Sequence, residues 1–164
     1  MPSDTRKAQL MPSNSFVQII DRLRGVISRR PADMVRFVDQ GVFELSQLAE
    51  PSAAKFLLPL LDDGCPHHEC MFSIIHAAEV APLDAYIADL LAVYPSIAAS
   101  NPEWASIILL RVLNSDPARE IMVPALRESD KPTKDAVIYI ATKINERSPE
   151  FMGKTMGVLL AART

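Results

Sequence analysis

The densest collection of reactive side chains lies mid-chain, in Asp62-Asp63-Gly64-Cys65-Pro66-His67-His68-Glu69-Cys70, with His76 and Glu79 soon after. All three histidines of the chain stand within ten residues, beside both cysteines and four carboxylates. Histidine, cysteine and carboxylate are zinc ligands, so a metal site is the first chemistry to weigh. The spacing argues against it. His68-Glu69 opens a string of HExxH form, but Phe72 stands where the second histidine is required, and Cys65 and Cys70 lack the CxxC interval. A cysteine nucleophile with a histidine base is available in composition, yet no family signature frames either thiol. The chain also has no GxGxxG, no phosphate-binding loop and no GxSxG. The expectation is a protein that is not an enzyme and needs no metal or cofactor. In this reading Asp62 and Asp63 serve as helix caps or surface groups, and Glu69 suits the positive end of a helix.

The elements that must position these residues are helices. At 164 residues, 49% hydrophobic and 23% charged, with 5 Gly, the composition is that of one folded domain. Residues 1–14 read as a flexible N-terminal segment and 15–164 as a single domain. The start is polar without an apolar core, which argues against a secretory signal, and no run reaches the roughly 18 apolar residues of a membrane span. The two cysteines make no disulfide framework, and a cytoplasmic protein is expected. Helical periodicity recurs while period-2 alternation is nearly absent. Phe16, Ile19, Ile20, Leu23, Val26 and Ile27 form one apolar stripe after the capping candidates Ser13, Asn14 and Ser15. Pro31 ends that helix or opens the next. Gly41 is expected to close a short helix carrying Met34, Val35 and Val38, before another with Phe43, Leu45 and Leu48. Pro51 then starts a helix through Phe56, Leu57, Leu60 and Leu61, bent by Pro59 and closed by Asp62-Asp63-Gly64.

From His67 onward a repeat appears, anchored on Pro82, Pro117 and Pro149 at intervals of 35 and 32 residues. Each proline sits between two amphipathic stretches. Phe72, Ile107 and Tyr139 stand ten residues before the anchors, and Ser73, Ile108 and Ile140 nine before. Ile87, Leu90 and Leu91 after the first anchor match Met122, Ala125 and Leu126 after the second. The last helix matches after a one-residue shift, at Thr155, Val158 and Leu159. Helix pairs of this period read as an all-α chain forming a short α-solenoid of HEAT or armadillo type, with a globular bundle as the competing arrangement. The same overlay aligns His76, Arg111 and Lys143, and three residues on Glu79, Asn114 and Glu146, on shared helix faces. Lys143 and Glu146 read as a solvated face. Ile75, Leu110 and Val112 hem in His76 and Arg111, which predicts partial burial for both.

Net charge is only −3, but it is unevenly placed: residues 1–36 carry +4, residues 37–106 carry −9 and residues 107–164 carry +2. Such asymmetry concerns partners and encounter rates rather than fold. The middle of the chain should repel nucleic acid and attract a basic protein. Trp104, after Asn101-Pro102-Glu103, reads either as core or as an exposed aromatic anchor.

Two blocks resemble a known family. Asp62-Asp63 with His68-Glu69-Cys70-Met71-Phe72-Ser73-Ile74-Ile75-His76-Ala77-Ala78-Glu79, and Pro102-Glu103-Trp104-Ala105 with Arg111-Val112-Leu113-Asn114-Ser115, resemble all-helical bacterial immunity proteins against polymorphic or contact-dependent growth-inhibition toxins. The resemblance covers residues 62–115. It implies a cytosolic, non-enzymatic inhibitor that binds a cognate toxin domain, often a nuclease. Nuclease domains are commonly basic because they approach phosphate, and an acidic segment would complement and steer such a surface. The expected partner-binding residues are Asp62, Asp63, His68, Glu69, Glu79, Trp104, Arg111 and Asn114. The acidic members would pair with Lys or Arg, Trp104 would anchor, and Arg111 and Asn114 would be contacts or buried supports. The expected partner is that toxin domain, with no nucleic acid, membrane or small-molecule substrate. A general helical-repeat adaptor is the rival reading. An enzyme, either a metal-dependent hydrolase using His67, His68 and His76 or a nucleic-acid glycosylase, stands behind both, and the acidic middle opposes the glycosylase.

Overall fold

The structure, a computed structural model, describes residues 11–164. Among these residues there is helix and no strand, as the periodicity predicts. The expected flexible segment over residues 1–14 falls mainly on residues 1–10, which lie outside the described part. Helix α1 spans Asn14–Arg29. Its N-cap is Ser13, whose Oγ accepts the Phe16 N–H at 3.2 Å. It ends where Arg30 turns left-handed (φ 51°) and Pro31 forbids another turn. All six apolar stripe residues of α1 are buried.

Helix α2, Met34–Ser46, is one continuous helix rather than two. Gly41 does not cap it. A Cβ at Gly41 would lie 2.6 Å from Leu23 Cδ2, so this glycine is the place where α1 and α2 approach closely. Helix α3, Ala53–Leu57, passes at Pro59 into a 3-10 turn, Leu58–Leu60. Six helices follow: α4 (His68–Ala78), α5 (Leu83–Ser100), α6 (Pro102–Leu113), α7 (Asp116–Arg127), α8 (Lys131–Arg147) and α9 (Met152–Arg163). Of these, α6 packs on α7 and α8 on α9, whereas α4 packs chiefly on α2 and α3 and not, as the repeat predicts, on α5. Pro82, Pro117 and Pro149 each fall at or beside a helix start.

Many of the overlaid apolar positions are core positions. Eight residues before the anchors, Ile74, Leu109 and Ala141 are all fully buried. After them, Ile87, Leu90, Leu91, Met122, Leu126, Val158 and Leu159 are buried, while Ala125 is partly so. One cluster of buried side chains runs from Phe16 to Ala162. Helix α5 touches α6 and α7, and also α8 beyond them. That longer reach has a local cause. Pro95 lacks an N–H and leaves the Leu91 carbonyl without its helical donor. The buried Thr133 Oγ1 of α8 donates to that carbonyl at 3.4 Å. Tyr94, fully buried, ties α5 to α6 by donating its hydroxyl to the Ala105 carbonyl at 2.9 Å. Thr155, also buried, donates to Asn145 Oδ1 at 2.8 Å between α9 and α8.

Candidate functional site

The reactive cluster becomes a turn between the 3-10 segment and α4, clamped to the start of α6. Asp63 accepts the backbone N–H groups of Glu103 and Trp104 at 3.0 and 3.1 Å, and its own N–H donates to Asn101 Oδ1 at 2.9 Å. It therefore caps α6, satisfying orphan donors of a helix forty residues away in the chain. Asp62 accepts from Arg30 at 3.0 Å and from the Gly64 N–H at 2.8 Å, while its N–H points at Met71 Sδ. Both carboxylates are occupied within the fold.

Trp104 is 3% exposed, so its ring belongs to the core and cannot serve as an exposed anchor. His68 meets it edge-on at 5.7 Å and Phe72 at 5.1 Å. The reason is geometric: Asp63 draws the first turn of α6 against α4, and Trp104 falls between the two. Glu69, in the first turn of α4, is exposed and lies 3.6 Å from His67. Cys65 and Cys70 are free and buried, and burial pushes the Cys70 thiol up to about 11. That thiol stays protonated at neutral pH, which removes the nucleophilic form. Among the described residues no group of three or more metal-ligating side chains is assembled.

Of the aligned polar positions, Arg111 and Glu79 pair with each other, from one helix to another. Arg111 Nε and Nη2 donate to the two carboxylate oxygens of Glu79, each at 2.7 Å, in a bidentate link from α6 to α4. The hydrogen bonds to Glu79 hold the Arg111 guanidinium above its usual range. Arg147 of α8 likewise reaches Glu103 of α6 at 2.8 Å, and this contact draws the Glu103 carboxyl below the usual carboxylate range. Arg111 is partly buried as predicted, but His76 is exposed because its ring turns outward beside Phe72. Asn114 is exposed and accepts from Lys154 of α9 through Oδ1. Lys143 lies 5.1 Å over the Tyr139 ring, on a solvated face.

A different site emerges where α2, α3 and α4 end together. An apolar groove of about 590 Å³ opens there, floored by Val42, Leu45, Leu57 and Ala77 and rimmed by Asp39, Glu50, His76 and Val80. Among the described residues no Lys or Arg lines it. Val80 is 83% exposed, an unusual state for a valine at the end of a buried-face helix. Ala49, in its wall, holds φ 46°, a left-handed conformation that a residue with a Cβ rarely adopts. None of the expected partner-binding residues lines the groove, and of the side chains weighed for chemistry only His76 does. The available signal was Val80-Ala81-Pro82, an apolar run where a turn after a helix ordinarily carries Gly, Asn or Asp.

A match to the model of immunity protein 30 spans residues 28–122 and includes all of the segment whose motifs suggested such a family. The fold and this match define an all-helical bacterial immunity protein. More particularly, the chain belongs to the immunity protein 30 family. No curated protein and no solved structure matches it. Among the described residues no helix is long and apolar enough to cross a membrane.

Proposed function

We propose that this chain neutralises a cognate, basic, nuclease-type toxin by binding the toxin domain and covering the surface with which it approaches nucleic acid. The protein acts in the cytoplasm by stoichiometric masking, without turnover or cofactor, in a system of the contact-dependent or polymorphic-toxin kind. The helices serve as a short HEAT-like stack that holds a rigid acidic face.

The family supplies the toxin partner, and the charge supplies its sign. The supporting observation is that Asp39, Glu50, Glu69 and Asp84 have no Lys or Arg partner among the described residues, all within the segment of net charge −9. A carboxylate already paired internally offers a partner little, whereas an unpaired one steers encounter and forms charge-assisted bonds on contact.

The test is to express the product of the gene directly upstream in the native host, with and without this chain. Rescue of growth, together with an affinity that falls as salt rises, supports the reading. Growth arrest despite soluble expression of both proteins overturns it.

A further inference from the structure

The partner-binding residues inferred from sequence lie mostly in contacts the fold uses itself, while the groove between α2, α3 and α4 leaves apolar surface open to solvent. We propose that this groove is the toxin's docking site, and that it receives a bulky apolar side chain flanked on the toxin by Lys or Arg. The inference rests on the immunity reading above and specifies the surface and the chemistry of the contact.

Three features support it. The floor is aliphatic, with Val42, Leu45, Leu57 and Ala77, so an occupant must bring apolar surface. The rim carries Asp39 and Glu50 and, among the described residues, no Lys or Arg, so an acidic or neutral occupant leaves two carboxylates without partners, and a basic one satisfies them. Asp39 accepts only a 3.1 Å bond from the Ser73 hydroxyl among the described residues, which leaves its charge uncompensated. An apolar centre with a charged rim is the arrangement in which a few anchors carry most of the binding free energy.

The wall gives a third, independent sign. Ala49 holds a left-handed conformation in the connection between α2 and α3, which its Cβ makes unfavourable where a glycine would relieve it. Strain of this kind persists where the surroundings over-determine the backbone, and it clusters at binding sites. Here it shapes the wall beside Glu50. The whole groove, Asp39 to Pro82, also lies inside the family-matched segment. By contrast the exposed stripe Met152, Met156 and Leu160 on α9 lies outside that segment.

The experiment is titration calorimetry with the toxin domain encoded directly upstream, at about 50 and 200 mM salt. Val80→Glu and the double variant Asp39→Lys/Glu50→Lys are compared with Glu128→Lys/Glu150→Lys, which places the same charge change at exposed sites outside the groove. All altered side chains are exposed or at the rim, and circular dichroism confirms folding. The groove variants are expected to lose at least about tenfold in affinity, with the double variant also flattening the salt dependence, while the outlying pair binds as the wild type. Folded groove variants with wild-type affinity overturn the docking site and leave the immunity function standing. A wild-type chain that does not bind the toxin overturns both.

Discussion

At the start of α6 the Asp63 carboxylate faces two backbone N–H groups and Asp62 faces Arg30; on α2 and just beyond it, Asp39 and Glu50 rim an apolar floor without a Lys or Arg partner among the described residues. Both regions are acidic, and both lie in the same family-matched segment. In the first, the charge is consumed in holding one helix to another. In the second, it is left for something outside the molecule. The contrast shows that charge along the chain locates the acidic half but does not say which carboxylates are available; the hydrogen-bond partners do.

The comparison can be broken or sharpened by substitution, and the largest effect is expected on the inward side. Trp104→Ala removes a buried ring packed against Phe72 and His68 and should cost about 3–5 kcal/mol in denaturant unfolding. A cost under about 1 kcal/mol would mean that the α4–α6 seam is not a packed core. Asp63→Ala removes the α6 cap and should cost roughly 1–2 kcal/mol, with toxin affinity retained in the folded protein. If affinity fell while stability held, Asp63 would belong to the outward-facing class and the division would fail.

Effects on the groove side are smaller and of opposite sign. Ala49→Gly relieves about 1–2 kcal/mol of left-handed strain and adds about 0.5–1 kcal/mol of unfolded-chain entropy, so a net gain of under about 1 kcal/mol is expected in thermal melts. Destabilisation there would show that Ala49 contributes through its methyl packing. The smallest effect concerns Asp89, whose Oδ2 is buried without a partner among the described residues. Burial raises its carboxyl above the usual range, against Lys55. In the fold the charged form is penalised, so the penalty is present at neutral pH and is relieved as pH falls through the raised value. Asp89→Asn should therefore stabilise modestly at pH 7, with the gain shrinking toward the ordinary carboxylate range. A gain independent of pH would assign the effect to something other than charge.

Much of the fold is legible in the residues because it depends on local signals. The Ser13 cap, the apolar stripe of α1 and the prolines at or beside helix starts all need only neighbours within a few turns. Gly41 misled because the same residue type that ends helices also permits close helix approach, and only Leu23, eighteen positions earlier, tells the two apart. The Asp63 cap and the Glu79–Arg111 link join residues 32 to 41 positions apart. Their types suggested polar function without saying that each satisfies the other. The groove was hidden for a related reason. Its parts come from three segments, each unremarkable alone, and the apolar run at Val80 acquires meaning only when Asp39 and Glu50 are placed beside it.

The most direct test of the division between the two regions is amide hydrogen exchange on this chain, alone and saturated with the toxin domain encoded upstream. Protection gained across residues 39–53 and 73–82, with exchange unchanged over 62–68, is the predicted result. Protection confined to 62–68 and the first turn of α6, with the groove segments unaltered, would contradict it.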